Sequence, residues 1–135
     1  MTTIAQVRES LAKAVATTGL RCDPYTSDNY AAPCAQVVRN PMVPHMTLGA
    51  VSDTKHAYQF QVLVFVNRES EVAGQKLLDK WCDLSGDSSV VAAIENGNLW
   101  IATVDYARVT RIGQTLEYPR QPALLVVAFD VEVCW

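Results

Sequence analysis

The stretch Tyr58-Gln59-Phe60-Gln61-Val62-Leu63-Val64-Phe65-Val66 decides the fold. In an extended chain successive side chains point to opposite sides, so Tyr58, Phe60, Val62, Val64 and Val66 share one face and Gln59, Gln61, Leu63 and Phe65 the other. The first face is core, and the second turns apolar halfway along. Downstream, Asn67 or Ser70 can cap a helix in which Ala73, Leu77, Trp81 and Leu84 recur at helical spacing, with Lys76, Asp79, Lys80 and Asp83 on its outer side. Gly86-Asp87-Ser88 breaks that helix, and a short one, Ser89 to Glu95, follows and is ended by Asn96-Gly97.

A long strand comes next, with Trp100, Ala102, Val104, Tyr106 and Arg108 on one face and Leu99, Ile101, Thr103, Asp105, Ala107 and Val109 on the other. In the last strand Leu125, Val127, Phe129, Val131 and Val133 point inward while Asp130 and Glu132 point outward. Upstream, Ile4, Val7, Leu11, Ala14 and Val15 form a helical stripe behind a capping box, Thr3-Ile4-Ala5-Gln6, and Gly19 stops it. Leu20-Arg21-Cys22 and Pro33-Cys34-Ala35-Gln36-Val37-Val38 read as short strands. From Asn40 to Tyr58 periodicity disappears and Pro41, Pro44 and Gly49 punctuate the chain, which predicts a long irregular arm over about residues 40–57. Its Met42, Val43, His45 and Met46 suit a partner surface, and a loop folded over its own core is the other reading.

This order predicts one α+β domain over residues 1–135, a two-layer sandwich of a mostly antiparallel sheet with helices packed on one face. The chain has 135 residues, is 50% hydrophobic and only 19% charged, so it carries enough apolar surface for a folded core. Eleven Lys and Arg against fourteen Asp and Glu give a net charge of −3, a balance that argues against a dedicated nucleic-acid binder. The most apolar run, Pro122 to Phe129, is far below the roughly 20 residues of a membrane span. With Arg8, Glu9 and Lys13 inside the first apolar pattern, the chain reads as soluble and unexported.

The common enzymatic cradles GxGxxG, GxxxxGK[ST], GxSxG and HExxH do not occur, and the residues indicate neither catalysis nor a cofactor. Cys22, Cys34, Cys82 and Cys134 form no CxxC and read as reduced, buried thiols rather than zinc ligands or disulfide partners. His45 and His56 have no ligand partner at helical spacing, so no metal is expected. Pairing Cys34 with either histidine as nucleophile and base is no more than any such composition permits. Asp79 and Asp83 interleave with Lys76 and Lys80 as a solvated helix face. Arg108, Arg111 and Arg120 bracket the loop between the last two strands and could face DNA phosphates, or stand as ordinary strand ends near Asp105 and Glu117. The strands carry few edge-protecting charges, and Trp135 is either a subunit contact or a residue tucked into its own core.

The opening Thr3-Ile4-Ala5-Gln6-Val7-Arg8-Glu9-Ser10-Leu11, the block from Tyr58 through Ser70, Gln75-Lys76-Leu77-Leu78-Asp79, the short helix Ser88 to Ile94 and the closing pair of strands together resemble the tail terminator proteins of long-tailed, siphovirus-type bacteriophages, in particular those infecting actinobacteria. The likeness covers nearly the whole chain and lies in order, spacing and length. It implies a virion protein, assembled in the host cytoplasm, that forms a homo-hexameric ring at the head-proximal end of the tail tube. Such a ring stops tube polymerisation and joins the tail tube protein to the head-completion or stopper protein, while genome DNA passes through the lumen without sequence-specific binding and no membrane is involved. On that footing Met42, Val43, His45, Met46 and Trp135 are candidate interface residues, and Arg108, Arg111 and Arg120 candidate lumen residues. The alternatives are a neck or stopper head-tail connector and, from a different class, a small-molecule-binding α+β domain.

Overall fold

The structure is a computed structural model and describes residues 3–25, 33–40, 47–52, 55–67, 71–95, 104, 106–118 and 124–135. Its first element, α1 (Ile4–Ala16), starts at the capping box. Thr3 Oγ1 accepts from the Gln6 amide at 3.1 Å and Gln6 Oε1 accepts from the Thr3 amide at 3.0 Å. Beyond the helix Gly19 has φ +94°, a left-handed conformation open to glycine without strain, and the chain turns there into β1 (Arg21–Asp23). Val7, Leu11, Ala14 and Val15 are buried.

The strands β2 (Cys34–Arg39), β3 (Thr47–Ser52), β4 (Lys55–Asn67), β5 (Tyr106–Ile112), β6 (Leu116–Glu117) and β7 (Leu124–Cys134) join β1 in one sheet. Its main path runs β1-β2-β4-β7-β5, with β3 beside the start of β4 and β6 beside β7. Only β1 and β2 run parallel; every other pair is antiparallel. α2 (Glu71–Cys82) and α3 (Val90–Glu95) lie with α1 on one face. The fold is therefore the two-layer α+β sandwich, helices on one face of a mostly antiparallel sheet, that the element order predicted. The even residues of β4 from Tyr58 to Val66 and the odd residues of β7 from Leu125 to Val133 meet Leu11, Leu78, Trp81 and Ile94 in the core between the layers.

Arg8 ties α1 to the sheet. Its guanidinium donates to the carbonyls of Pro24 and Val37 at 3.2 and 3.3 Å and sits over the rings of Tyr25 and Phe60.

Several sequence expectations are corrected. The arm is not irregular throughout, because residues 47–52 form β3, hairpin-paired to β4 between Thr47 and Ala57 and between Ser52 and Lys55. The register slips between those two pairs, so backbone pairing here is not accompanied by the side-chain alternation that reveals a strand. Residues 41–46 lie outside the described residues. In α2 the core face is Gly74, Leu78 and Trp81, rotated from the expected stripe, and Ala73 and Leu77 are exposed. The reason is Gly74: a Cβ there would stand 2.8 Å from Leu125 Cδ1 and 3.3 Å from the Asn67 carbonyl, so its missing side chain sets the line of closest approach. Leu84 lies past the helix and is 75% exposed. Of the strand expected from Leu99 to Val109, residues 99–103 and 105 lie outside the described residues, as does Asn96-Gly97, expected to end the short helix.

The edge strand β5 is better protected than its sequence indicated. It is bulged between Val109 and Arg111, it carries two arginines, and Glu95 at the end of α3 accepts from the Val109 amide at 3.4 Å. A bulge, charges and a capped amide each oppose the addition of another strand.

Candidate functional site

The second face of the sheet carries no helix among the described residues, and the pleat sorts its side chains into two zones. Gln59 and Gln61 of β4 stand directly opposite Glu132 and Asp130 of β7, which stand opposite Arg108 and Arg111 of β5. The result is two rungs that cross three strands. In one, Gln59 Nε2 donates to Glu132 Oε2 at 3.0 Å, while Tyr106 Oη and Arg108 donate to Glu132 Oε1 at 2.5 and 3.3 Å. In the other, Gln61 Nε2 donates to Asp130 Oδ1 at 3.1 Å and Arg111 Nε lies 3.0 Å from Asp130 Oδ2.

The bulge decides which residue completes the second rung. Without it Thr110, two residues after Arg108, would face Asp130; the extra residue brings Arg111 there instead, and the Thr110 hydroxyl donates to the Asp130 carbonyl. Electrostatics follow the contacts. The Tyr106 hydroxyl holds the Glu132 carboxyl below its usual value, with help from Gln59 and Arg108, and the same hydrogen bond pushes the Tyr106 phenol up to about 12. The carboxylates are largely covered, at 17% and 12% exposure, while the guanidinium side chains above them are 58% and 66% exposed. Solvent therefore meets arginine first.

Next to the ladder the same face becomes apolar. Leu63, Val126 and Ala128 floor an open trough of about 900 Å³, with Ile112, Gly113, Leu116 and Tyr118 along its side and Gln61 and Arg111 at its polar end. The wall is held by the Gly113 amide on the Ala128 carbonyl at 2.8 Å and the Tyr118 amide on the Leu124 carbonyl at 2.9 Å. At the far end Cys34, Phe65, Leu124 and Val126 make a small second core, on which the Tyr118 ring stands edge-on to Phe65.

Of the residues singled out in the sequence, Arg108 and Arg111 come together in the ladder. Arg120, Met42, Val43, His45 and Met46 lie outside the described residues. Trp135 is half-buried and packs on the main core of its own chain. None of the four cysteines is in a disulfide, and Cys34 and Cys134 are buried. Burial pushes Cys22 up to about 12 and Cys82 to about 11, which keeps them protonated and poor nucleophiles at neutral pH. Among the described residues no three His, Cys, Asp or Glu side chains gather into a metal-sized group.

The sequence had shown Gln59, Gln61, Asp130 and Glu132 as outward residues, but neither their register nor the trough. Both depend on how β4, β5 and β7 align across long sequence separations. No protein-family model matches the chain, and no characterised protein matches it significantly in sequence.

Proposed function

We propose that the chain is a structural virion subunit of the tail-terminator type, which forms a ring that caps the head-proximal end of a phage tail tube and joins it to the head-completion protein. The observation that carries this reading is the second face of the sheet, where an apolar trough adjoins an ordered polar ladder and no described helix covers either. A face so built serves protein contact, since contiguous apolar surface rimmed by polar groups is otherwise a liability. The element order and the two-layer α+β architecture support the reading that the resemblance implies.

The experiment is negative-stain imaging of the purified protein alone and mixed with the matching tail-tube protein. The expected result is rings, or tubes of uniform length capped at one end. A protein that stays monomeric and leaves tube length unchanged overturns the reading and moves a connector or a small-ligand function for the trough ahead of it.

A further inference from the structure

The most exposed large apolar side chain among the described residues is Leu84, 75% exposed on the turn between α2 and α3. It stands beside Asp83, with Asp87 just beyond, and both aspartates are exposed. Lys80, one turn back on α2, keeps its charge over the Trp81 ring at 5.3 Å, and beyond it the turn itself carries only the two carboxylates. The turn thus presents an apolar knob in an acidic collar on the helix layer. The trough on the opposite layer has the reverse character: an apolar floor and wall, with Leu116 53% exposed at its side, and the exposed guanidinium of Arg111 at its end.

We infer that Leu84 of one copy seats in the trough of a second copy of this chain, with Asp83 and Asp87 facing Arg111 and Arg108. The two patches differ and lie on opposite layers, so the contact is head-to-tail, the kind that propagates around a closed ring when the rotation closes. The protected edge of β5 fits this arrangement, because neighbours that meet layer to layer do not need strand addition. The inference deepens the ring reading by naming the surfaces that would build the ring.

The test uses the full chain in two singly substituted forms, Leu84→Cys and Leu116→Cys, oxidised with diamide separately and mixed. A covalent dimer that forms in the mixture, and in neither form alone beyond the wild-type background, is expected; equal yields in all three samples overturn the inference. Leu84→Asp, at a site exposed in the monomer, should raise the concentration needed for self-association by about tenfold or more, read by analytical ultracentrifugation. Rings that survive Leu84→Asp unchanged overturn the knob-and-trough contact while leaving the terminator reading standing. Mixed-pair cross-linking without any tube capping does the opposite.

Discussion

Arg111, rather than Thr110, stands opposite Asp130, with its Nε 3.0 Å from Oδ2, because a one-residue bulge in β5 advances it into register. That alignment turns three strands into one cross-linked surface. The two partners should matter unequally. Arg111 is mostly exposed, so Arg111→Ala should cost well under about 1 kcal/mol. Asp130 is covered and accepts from Gln61 as well, so Asp130→Ala should cost about 1–3 kcal/mol by stranding its donor. Chemical denaturation of the two variants and their double mutant measures the difference.

The Tyr106–Glu132 contact predicts opposite behaviour at the two ends of the pH scale. Glu132 is held below its ordinary value of 4.5, so its contribution is present above pH 4.5 and is lost as pH falls through the folded value. Tyr106 is raised from 10.0 to about 12, so its contribution is present below pH 10 and is lost as pH climbs towards 12. Tyrosinate absorbance of the folded protein should show one phenol ionising late, and Tyr106→Phe should remove it. Glu132→Gln should lower the urea midpoint at pH 7, and that deficit should shrink on acidification.

Arg8 is expected to be worth more than a surface arginine, because it joins two carbonyls and two aromatic rings from separate elements. Arg8→Ala should lose about 1–3 kcal/mol, and Arg8→Lys should recover little, since an ammonium cannot reproduce the planar fork and the stacking. Thermal unfolding of both variants decides this.

Gly74→Ala would raise stability by about 1 kcal/mol at an ordinary helix position. Here the new methyl group meets Leu125 and the Asn67 carbonyl, so a net loss of about 1 kcal/mol is expected instead. Adding Leu125→Ala should make the two substitutions non-additive by giving the methyl room.

Glu95 caps the Val109 amide on the free side of β5. Glu95→Ala should speed hydrogen exchange at Val109 while the Val131 amide, inside the sheet, keeps its protection. Equal exchange at Val109 in both proteins would show that the cap does not close the edge.

How much of this was legible in the sequence follows from the range of the forces. The capping box at Thr3 and Gln6, the inward faces of β4 and β7 and the outward Lys76, Asp79, Lys80 and Asp83 are local patterns, and the structure keeps them. The face of α2 was misread because hydrophobic periodicity gives weight to Leu77 and none to Gly74, whose lack of a side chain permits the contact. β3 was missed because its pairing to β4 slips in register. The trough and the ladder were invisible for a different reason: Gln59 and Glu132 are 73 residues apart, and only the assembled sheet makes them neighbours.

That separation also governs how the molecule forms. The longest pairing in the sheet joins β4 to β7, from Ala57 and Cys134 at one end to Asn67 and Leu124 at the other. β4 can find β2 early, across a shorter loop, but its other edge must stay open until a segment some seventy residues later arrives. During that interval Val62-Leu63-Val64-Phe65-Val66 is an apolar strand with one open edge, the kind of segment that templates aggregation. The yield of folded chain should therefore depend on the rate at which β7 docks more than on the final stability of the domain.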